Sequence, residues 1–224
     1  MSNTCSGKSN CKSAGFLMMG VVVIAAIALY FGLIKQHKTP LTEVKIDGVF
    51  LAQPRTDFEP FKLADTNGGT FTLDSLKGHW TMMFFGFTNC GEVCPSTLAA
   101  MNGMYKKLET TLPEDKMPKV VFITVDPDRD DMNRMKQYVN SFNPHFMGAR
   151  ADINETVALE KQLHIVAAKI QADGRGKNHY TINHSAEVLL FNPEGNLQAF
   201  FSYPHTADQM VTDYRTILDA TAKA

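Results

Sequence analysis

The sequence predicts an α/β domain built around a mixed central sheet, carried behind one amino-terminal membrane helix. Three observations carry that expectation. Apolar runs of strand length alternate with segments of helical period along residues 61–224. Two strands about a tight turn, then a last helix, close the chain. Gly15 to Ile34 holds twenty residues without a charge, which at about 1.5 Å each spans a hydrocarbon core about 30 Å thick.

Residues 1–14 form a short tail. It contains no arginine and no long amphipathic basic stretch, which argues against a mitochondrial transit peptide and fits a bacterial inner-membrane protein better. Cys5 and Cys11 lie in this tail and are assigned no part in the main chemistry. Residues 15–34 read as the anchor. The competing reading is a cleaved signal peptide with Ala26-Ile27-Ala28 as its cleavage motif. Leu29 to Ile34 continue the apolar run past that point, where polar chain is expected after a cleavage site, so a retained anchor is favoured. Lys8 and Lys12 precede the helix while Lys35 and Lys38 follow it, and the positive-inside rule barely selects an orientation.

Residues 35–60 are mixed polar sequence and read as a tether into a domain over 61–224. Phe61-Lys62-Leu63 and Thr70 to Leu73 flank Asp65-Thr66-Asn67-Gly68-Gly69, a hairpin signal. Trp80 to Phe87 is expected as a buried central strand. Ser96 to Thr111 places Leu98, Met101, Met104, Tyr105 and Leu108 on one helical stripe. Val120 to Val125 is a second buried strand and runs into Asp126-Pro127-Asp128-Arg129-Asp130. That acidic run reads as a charged turn capping the next helix, in preference to a second metal site. Helices follow over Met132–Phe142 and Ile153–Leu163, and a strand over Ile165–Ile170. Glu187–Phe191 and Leu197–Phe201 pair about Asn192 to Asn196, and Asp208–Ala222 closes as a helix.

Chemistry concentrates where the central strand ends, at Asn89-Cys90-Gly91-Glu92-Val93-Cys94-Pro95. A buried strand that delivers two cysteines to the start of a helix is the layout of a thioredoxin-like redox or metal site. Thioredoxin-type redox pairs usually carry two intervening residues; the third gives both sulfurs room to face one ion. Pro95 suits the first helical position, where its missing N–H is not needed. The helix N-terminus favours thiolates, the form that binds metals and attacks disulfides. The bland alternative is a structural disulfide or a pair of inert core thiols.

The charge balance, 22 basic against 23 acidic side chains with no basic block, argues against a nucleic-acid partner. A metal needs at least one donor beyond the two cysteines, and histidine is the commonest supplier. Of the seven histidines, His37 lies in the tether, His79 before the central strand, and His145, His164 and His205 in turns or at element ends. His184 differs. It stands in Tyr180-Thr181-Ile182-Asn183-His184-Ser185, just before the Glu187–Phe191 strand, and in a thioredoxin-like sheet that loop lies beside the cysteine turn. His179 shares the loop and is the second choice. The methionines, twelve in all, mostly fall in the anchor, the strand and the helix stripe, where core packing accounts for them.

The segments FGFTNCGEVCPSTL, VDPDRD and YTINHSAEVLLFNPEG, in this order and spacing, resemble the Sco/SenC family of copper-binding assembly factors over roughly residues 45–220. The resemblance implies a thioredoxin-like fold on the outer side of the membrane, here the periplasm. It also implies copper held by Cys90, Cys94 and His184, and a role in building the dinuclear copper site of cytochrome c oxidase. The partners implied are the copper-bearing oxidase subunit and a protein copper donor. Two positions depart from the family's usual pattern: Gly91 stands where proline is usual, and Asn183 where aspartate is usual. Both departures bear on affinity and redox tuning more than on ligand identity.

The donor set makes sense without the family. Two thiolates and an imidazole suit Cu(I), and the same trigonal set holds Cu(II). Zinc is the competitor, because three such ligands and an open position also describe a catalytic zinc site. The alternative function is thiol–disulfide exchange, with Cys90 and Cys94 reducing an apo copper site or another envelope substrate through a mixed disulfide. A peroxidase fits least, since Pro-xxx-Thr/Ser-xx-Cys is absent before both cysteines. A metallochaperone is therefore expected ahead of an enzyme.

Overall fold

An uninterrupted apolar strand must be covered on both faces, and Thr81–Gly86 is buried at every residue. The computed structural model describes residues 44–171 and 180–222. Its strands in chain order are β1 (Gly48–Arg55), β2 (Lys62–Asp65), β3 (Thr70–Thr72), β4 (Thr81–Gly86), β5 (Lys119–Thr124), β6 (Met147–Arg150), β7 (Ala167–Gln171), β8 (Tyr180–His184), β9 (Val188–Phe191) and β10 (Leu197–Phe201). Its helices are α1 (Val93–Glu109), α2 (Met132–Phe142), α3 (Ile153–Gln162) and α4 (Ala207–Thr221). Eight strands form one mixed sheet in the order β1-β10-β9-β4-β5-β6-β2-β3, with β4, β5 and β6 parallel. Strands β7 and β8 form a separate antiparallel ribbon.

The elements follow from local chemistry. In α1, Leu98, Met101, Met104 and Leu108 are all buried, the stripe expected from period 3.6. Asp131 caps α2 by accepting from the Arg134 amide, Asp152 caps α3 through the amides of Asn154 and Glu155, and Thr206 caps α4. Helix α1 packs against α4, and α2 lies along β6. Trp80 meets Tyr214 edge to face with a centroid separation of 6.0 Å, tying the start of β4 to α4.

Four expectations need correcting. The 35–60 stretch is not all tether, because β1 extends the sheet by pairing with β10 through Gly48↔Phe201 and Phe50↔Ala199. Its half-exposed edge position leaves little apolar patterning to read. Strand β6 carries Gly148 and Ala149, weak strand formers, and exists because β5 and β2 flank it. Residues 180–184 are a strand and not a loop. Pro95 is the third residue of α1, which starts at Val93; the amide it lacks is still among those a helix start leaves unpaired. The expected anchor at 15–34, together with Cys5, Cys11, His37 and His179, lies outside the described residues. Among the described residues no helix is long and apolar enough to cross a membrane.

Candidate metal centre

Sheet register brings three chain segments to one edge. Strand β4 pairs antiparallel with β9 through Phe84↔Val188 and parallel with β5 through Gly86↔Thr124. The chain leaving β4 carries Cys90 and Cys94, the chain leaving β5 carries Asp126 to Asp130, and the chain approaching β9 carries His184. All three segments therefore emerge at the same end of the central strands, outside the carboxyl ends of β4 and β5.

There Cys90, Cys94 and His184 form a cluster whose donor atoms all lie within 4.8 Å of one another. It is the one group of this kind found among the described residues. Cys94 Sγ lies 3.2 Å from His184 Nε2. His184 Nδ1 lies 2.8 Å from the Ser185 carbonyl oxygen. A carbonyl only accepts, so Nδ1 carries the proton and Nε2 presents its lone pair to the sulfurs. Phe87 and Phe84 pack edge to face on the imidazole at 5.7 and 6.2 Å. The cysteines are free thiols, Cys90 half-buried and Cys94 buried.

The sulfurs are electrostatically unequal. The Cys94 thiol, hydrogen-bonded to the Cys90 sulfur, draws the Cys90 pKa down to about 4. Burial opposes that shift, while the amides of Cys94 and Glu92 add to it. The Cys94 amide, at the start of α1, lies 3.4 Å from Cys90 Sγ. The Cys90 sulfur pushes the Cys94 thiol well above its ordinary value, and burial pushes it further. At neutral pH the pair thus holds one proton, on Cys94. Alkylation of Cys90 in the metal-free reduced protein should then be nearly independent of pH between 8 and 5 and fall only below that. A free thiol of ordinary pKa loses about tenfold per unit over the same range. A Cys90 rate that tracks the free thiol would contradict this assignment.

Gly86 makes the packing possible. A Cβ at this position would lie 2.7 Å from Cys94 Sγ and 2.7 Å from the Phe122 ring. The last residue of β4 therefore has to lack a side chain for the sulfur to sit over the strand. Sequence reasoning missed it, although a glycine ending a fully apolar strand is a signal of close approach. It also missed Glu160, a buried α3 carboxyl raised to about 7 by burial.

The remaining described histidines stay out of the cluster. His205 uses Nε2 on the Ala186 carbonyl at 2.8 Å, and His145 stacks on Tyr105 at 5.7 Å. His79 and His145 line a cavity of about 550 Å³ with Asp65, Tyr105 and Met117. The acidic turn does not cap α2, since Asp131 does that. Asp126 and Asp130 are instead fully buried.

The SCO1/SenC family model matches residues 51–219. The chain belongs to the SCO1/SenC family. Similar Sco proteins include the mitochondrial SCO2 homolog of Mus musculus, 30% identical over 155 residues, covering 69% of this chain and 60% of the mouse protein. A SCO2-like protein of Rickettsia prowazekii is 31% identical over 153 residues, covering 68% of this chain and 72% of that one. The structure of Bradyrhizobium japonicum ScoI with copper bound aligns with a TM-score of 0.62 at 32% identity, over 71% of this chain and 98% of that one. The chain thus spans less than two thirds of the mouse relative's length. The Sco likeness bears out the thioredoxin-like fold with its mixed sheet.

Within this Sco chain the two departures sit differently. A Cβ at Gly91 would meet nothing within 4 Å, so the turn has room for a side chain there. Strand β8 alternates, with Tyr180, Ile182 and His184 on its inner face and Thr181 and Asn183 exposed on the other. Asn183 therefore points away from the sulfurs, and a charge at that position would act through solvent.

Proposed function

We propose that this Sco protein is a copper carrier that serves assembly of the dinuclear copper site of cytochrome c oxidase. The observation that carries the reading is the convergence of Cys90, Cys94 and His184 within 4.8 Å. Two sulfurs and one imidazole form a soft, three-donor set that accepts Cu(I) and Cu(II) without changing ligands. Cys90 is deprotonated before cargo arrives, Cys94 yields its proton as the ion binds, and His184 Nε2 is already aimed inward. Three ligands leave the ion reachable by a recipient, and half-exposed Cys90 and His184 are the open side. The copper-bound ScoI relative supports copper over zinc.

The protein acts from the periplasmic face of a bacterial inner membrane, held there by residues 15–34. Its recipient is the copper-bearing subunit of the oxidase, and it is loaded by a protein copper donor. The test is metal analysis of the full-length protein in detergent, with absorption spectra on addition of Cu(I), Cu(II) and Zn(II). One copper per chain with sulfur-to-copper charge-transfer bands is expected. Preferential zinc retention would overturn the copper reading, and a carboxy-terminal reporter active only in the cytoplasm would overturn the orientation.

The low pKa of Cys90 favours a second reading, thiol–disulfide exchange with Cys90 as the attacking thiolate. His184 has no necessary part in that chemistry, which is what separates the two.

A further inference from the structure

The acidic turn after β5 touches both halves of the metal centre. Toward the cysteines it offers Asp130, fully buried, whose carboxylate accepts from the Thr88 amide at 2.9 Å, Thr88 Oγ1 at 2.5 Å and Thr124 Oγ1 at 2.7 Å. Thr88 is two residues before Cys90. Arg134 of α2 adds to this hold, with Nε donating to Thr88 Oγ1 at 2.7 Å and Nη2 donating to Asn89 Oδ1. Toward the histidine strand the turn offers Asp126 and Arg129, which are paired with each other. Tyr180 Oη donates to Asp126 Oδ1 at 2.7 Å, and Arg129 Nη1 donates to the Tyr180 carbonyl at 2.9 Å.

Arg129 also lies over the Tyr180 ring at 3.7 Å, and Lys169 lies 4.8 Å from the same ring. Lys169 is itself paired with Asp128 at 2.7 Å. Arg129 extends further, to 5.7 Å from the Phe87 ring that packs on His184. Tyr180 and His184 share the inner face of β8, four residues apart. That strand belongs to the β7–β8 ribbon and not to the main sheet. Beyond His184 the chain is held by β9 from Val188 onward; before it, the strand is held by the buried side chain of Ile182 and by the grip on Tyr180.

We propose that the Asp126–Asp130 turn is a two-armed brace that sets the separation between the cysteine pair and His184. Asp130 is the positioning residue for the cysteine loop, and Arg129 with Asp126 positions the histidine strand. This rests on the copper site proposed above. The burial argues for the role: two carboxylates removed from water are costly unless each is fully partnered, and here their partners outside β5 and the turn itself, Thr88 and Tyr180, lie on the two segments that supply the ligands. A forked guanidinium that stacks and donates at once is the residue type this geometry needs.

The two arms have different signatures in double-mutant cycles with His184→Ala. Arg129→Lys keeps a charge for Asp126 but loses the forked, stacked grip. It should lower Cu(II) affinity about 10- to 100-fold, the cost typical of losing a group that orients a ligand. In the His184→Ala background the same change should alter affinity within about twofold, since no imidazole remains to position. Asp130→Asn should lower affinity in both backgrounds, because the cysteines remain. In the metal-free protein, Arg129→Lys should speed amide hydrogen exchange over residues 181–184 while leaving β4 and β5 unchanged. Tyr180→Phe, which keeps the ring and loses only the bond to Asp126, should show a smaller loss with the same dependence on His184, and it covers the case that Arg129→Lys does not fold. Equal losses from the Arg129 or Tyr180 changes in both backgrounds, or none in either, would overturn the brace. If His184→Ala alone leaves affinity unchanged, the ligand set has failed and the brace falls with it.

Discussion

Changing His184 to alanine is expected to cost more than about 100-fold in Cu(II) affinity. Groups that merely orient a ligand are worth about 10- to 100-fold, and in the proposed site His184 supplies the donor atom itself, with Nε2 3.2 Å from Cys94 Sγ. Two thiolates alone leave Cu(II) under-coordinated, while Cu(I), content with fewer soft donors, should lose less. The fold should survive, because His184 is half-exposed and its neighbour Ile182 provides the buried contact of β8. Copper titration of the variant beside Cys90→Ala, with oxidase assembly and disulfide reduction followed in parallel, reads the result. A carrier loses copper binding and oxidase assembly in both variants. A dithiol reductase keeps its exchange activity in His184→Ala and loses it in Cys90→Ala. Normal oxidase assembly with His184→Ala, and none with Cys90→Ala, would replace the carrier by the reductase.

Oxidation of Cys90 to Cys94 should abolish copper binding altogether. A disulfide sulfur is not a thiolate donor, and the imidazole left behind is a single ligand. The pair is poised for that step: Cys90 is the thiolate, Cys94 the buried partner, and the sulfurs share one proton. Addition of a reductant should restore one copper per chain. Equilibrium dialysis of fully oxidised and re-reduced protein is the measurement, with the disulfide assigned by peptide mapping. One equivalent of copper retained by the oxidised pair would rule out this site.

Absorption spectra of the Cu(II)-loaded and Zn(II)-loaded protein separate the metals. Zinc bound by the same three residues would respond to both changes but would show no visible sulfur-to-metal charge-transfer band of the kind Cu(II) gives, because its d shell is full and has no hole to accept the electron. The spectra therefore decide the cargo, where the variants decide the ligands.

Much of this protein's architecture is legible in its sequence. Trp80–Phe87 and Val120–Val125 are apolar but for one threonine each, and a segment of that kind and length has one stable fate, burial in the middle of a covered sheet. The stripe of Leu98, Met101, Met104 and Leu108 likewise permits only a helix with one face inward. The spacing of Cys90 and Cys94 is a local matter, decided by a strand end and a helix start. Where local chemistry is weak, the reading failed: β1 and β6 owe their existence to neighbouring strands, and β8 was read as a loop because its pairing partner lies across a ribbon.

By itself, then, the sequence determined the elements whose stability is local and singled out the three residues that cluster, Cys90, Cys94 and His184, the last step through motifs that stand far apart in the chain. Only the tertiary structure decided that they meet. Ninety residues separate Cys94 from His184, and no periodicity spans that distance; the registers Phe84↔Val188 and Gly86↔Thr124 do, because hydrogen-bonded strands align their ends. The same alignment turned the acidic run from an expected helix cap into a buried contact with both ligand segments. Burial of Asp126 and Asp130 is a property of what surrounds them, and a charged residue in a sequence reads as solvated until its partners are seen.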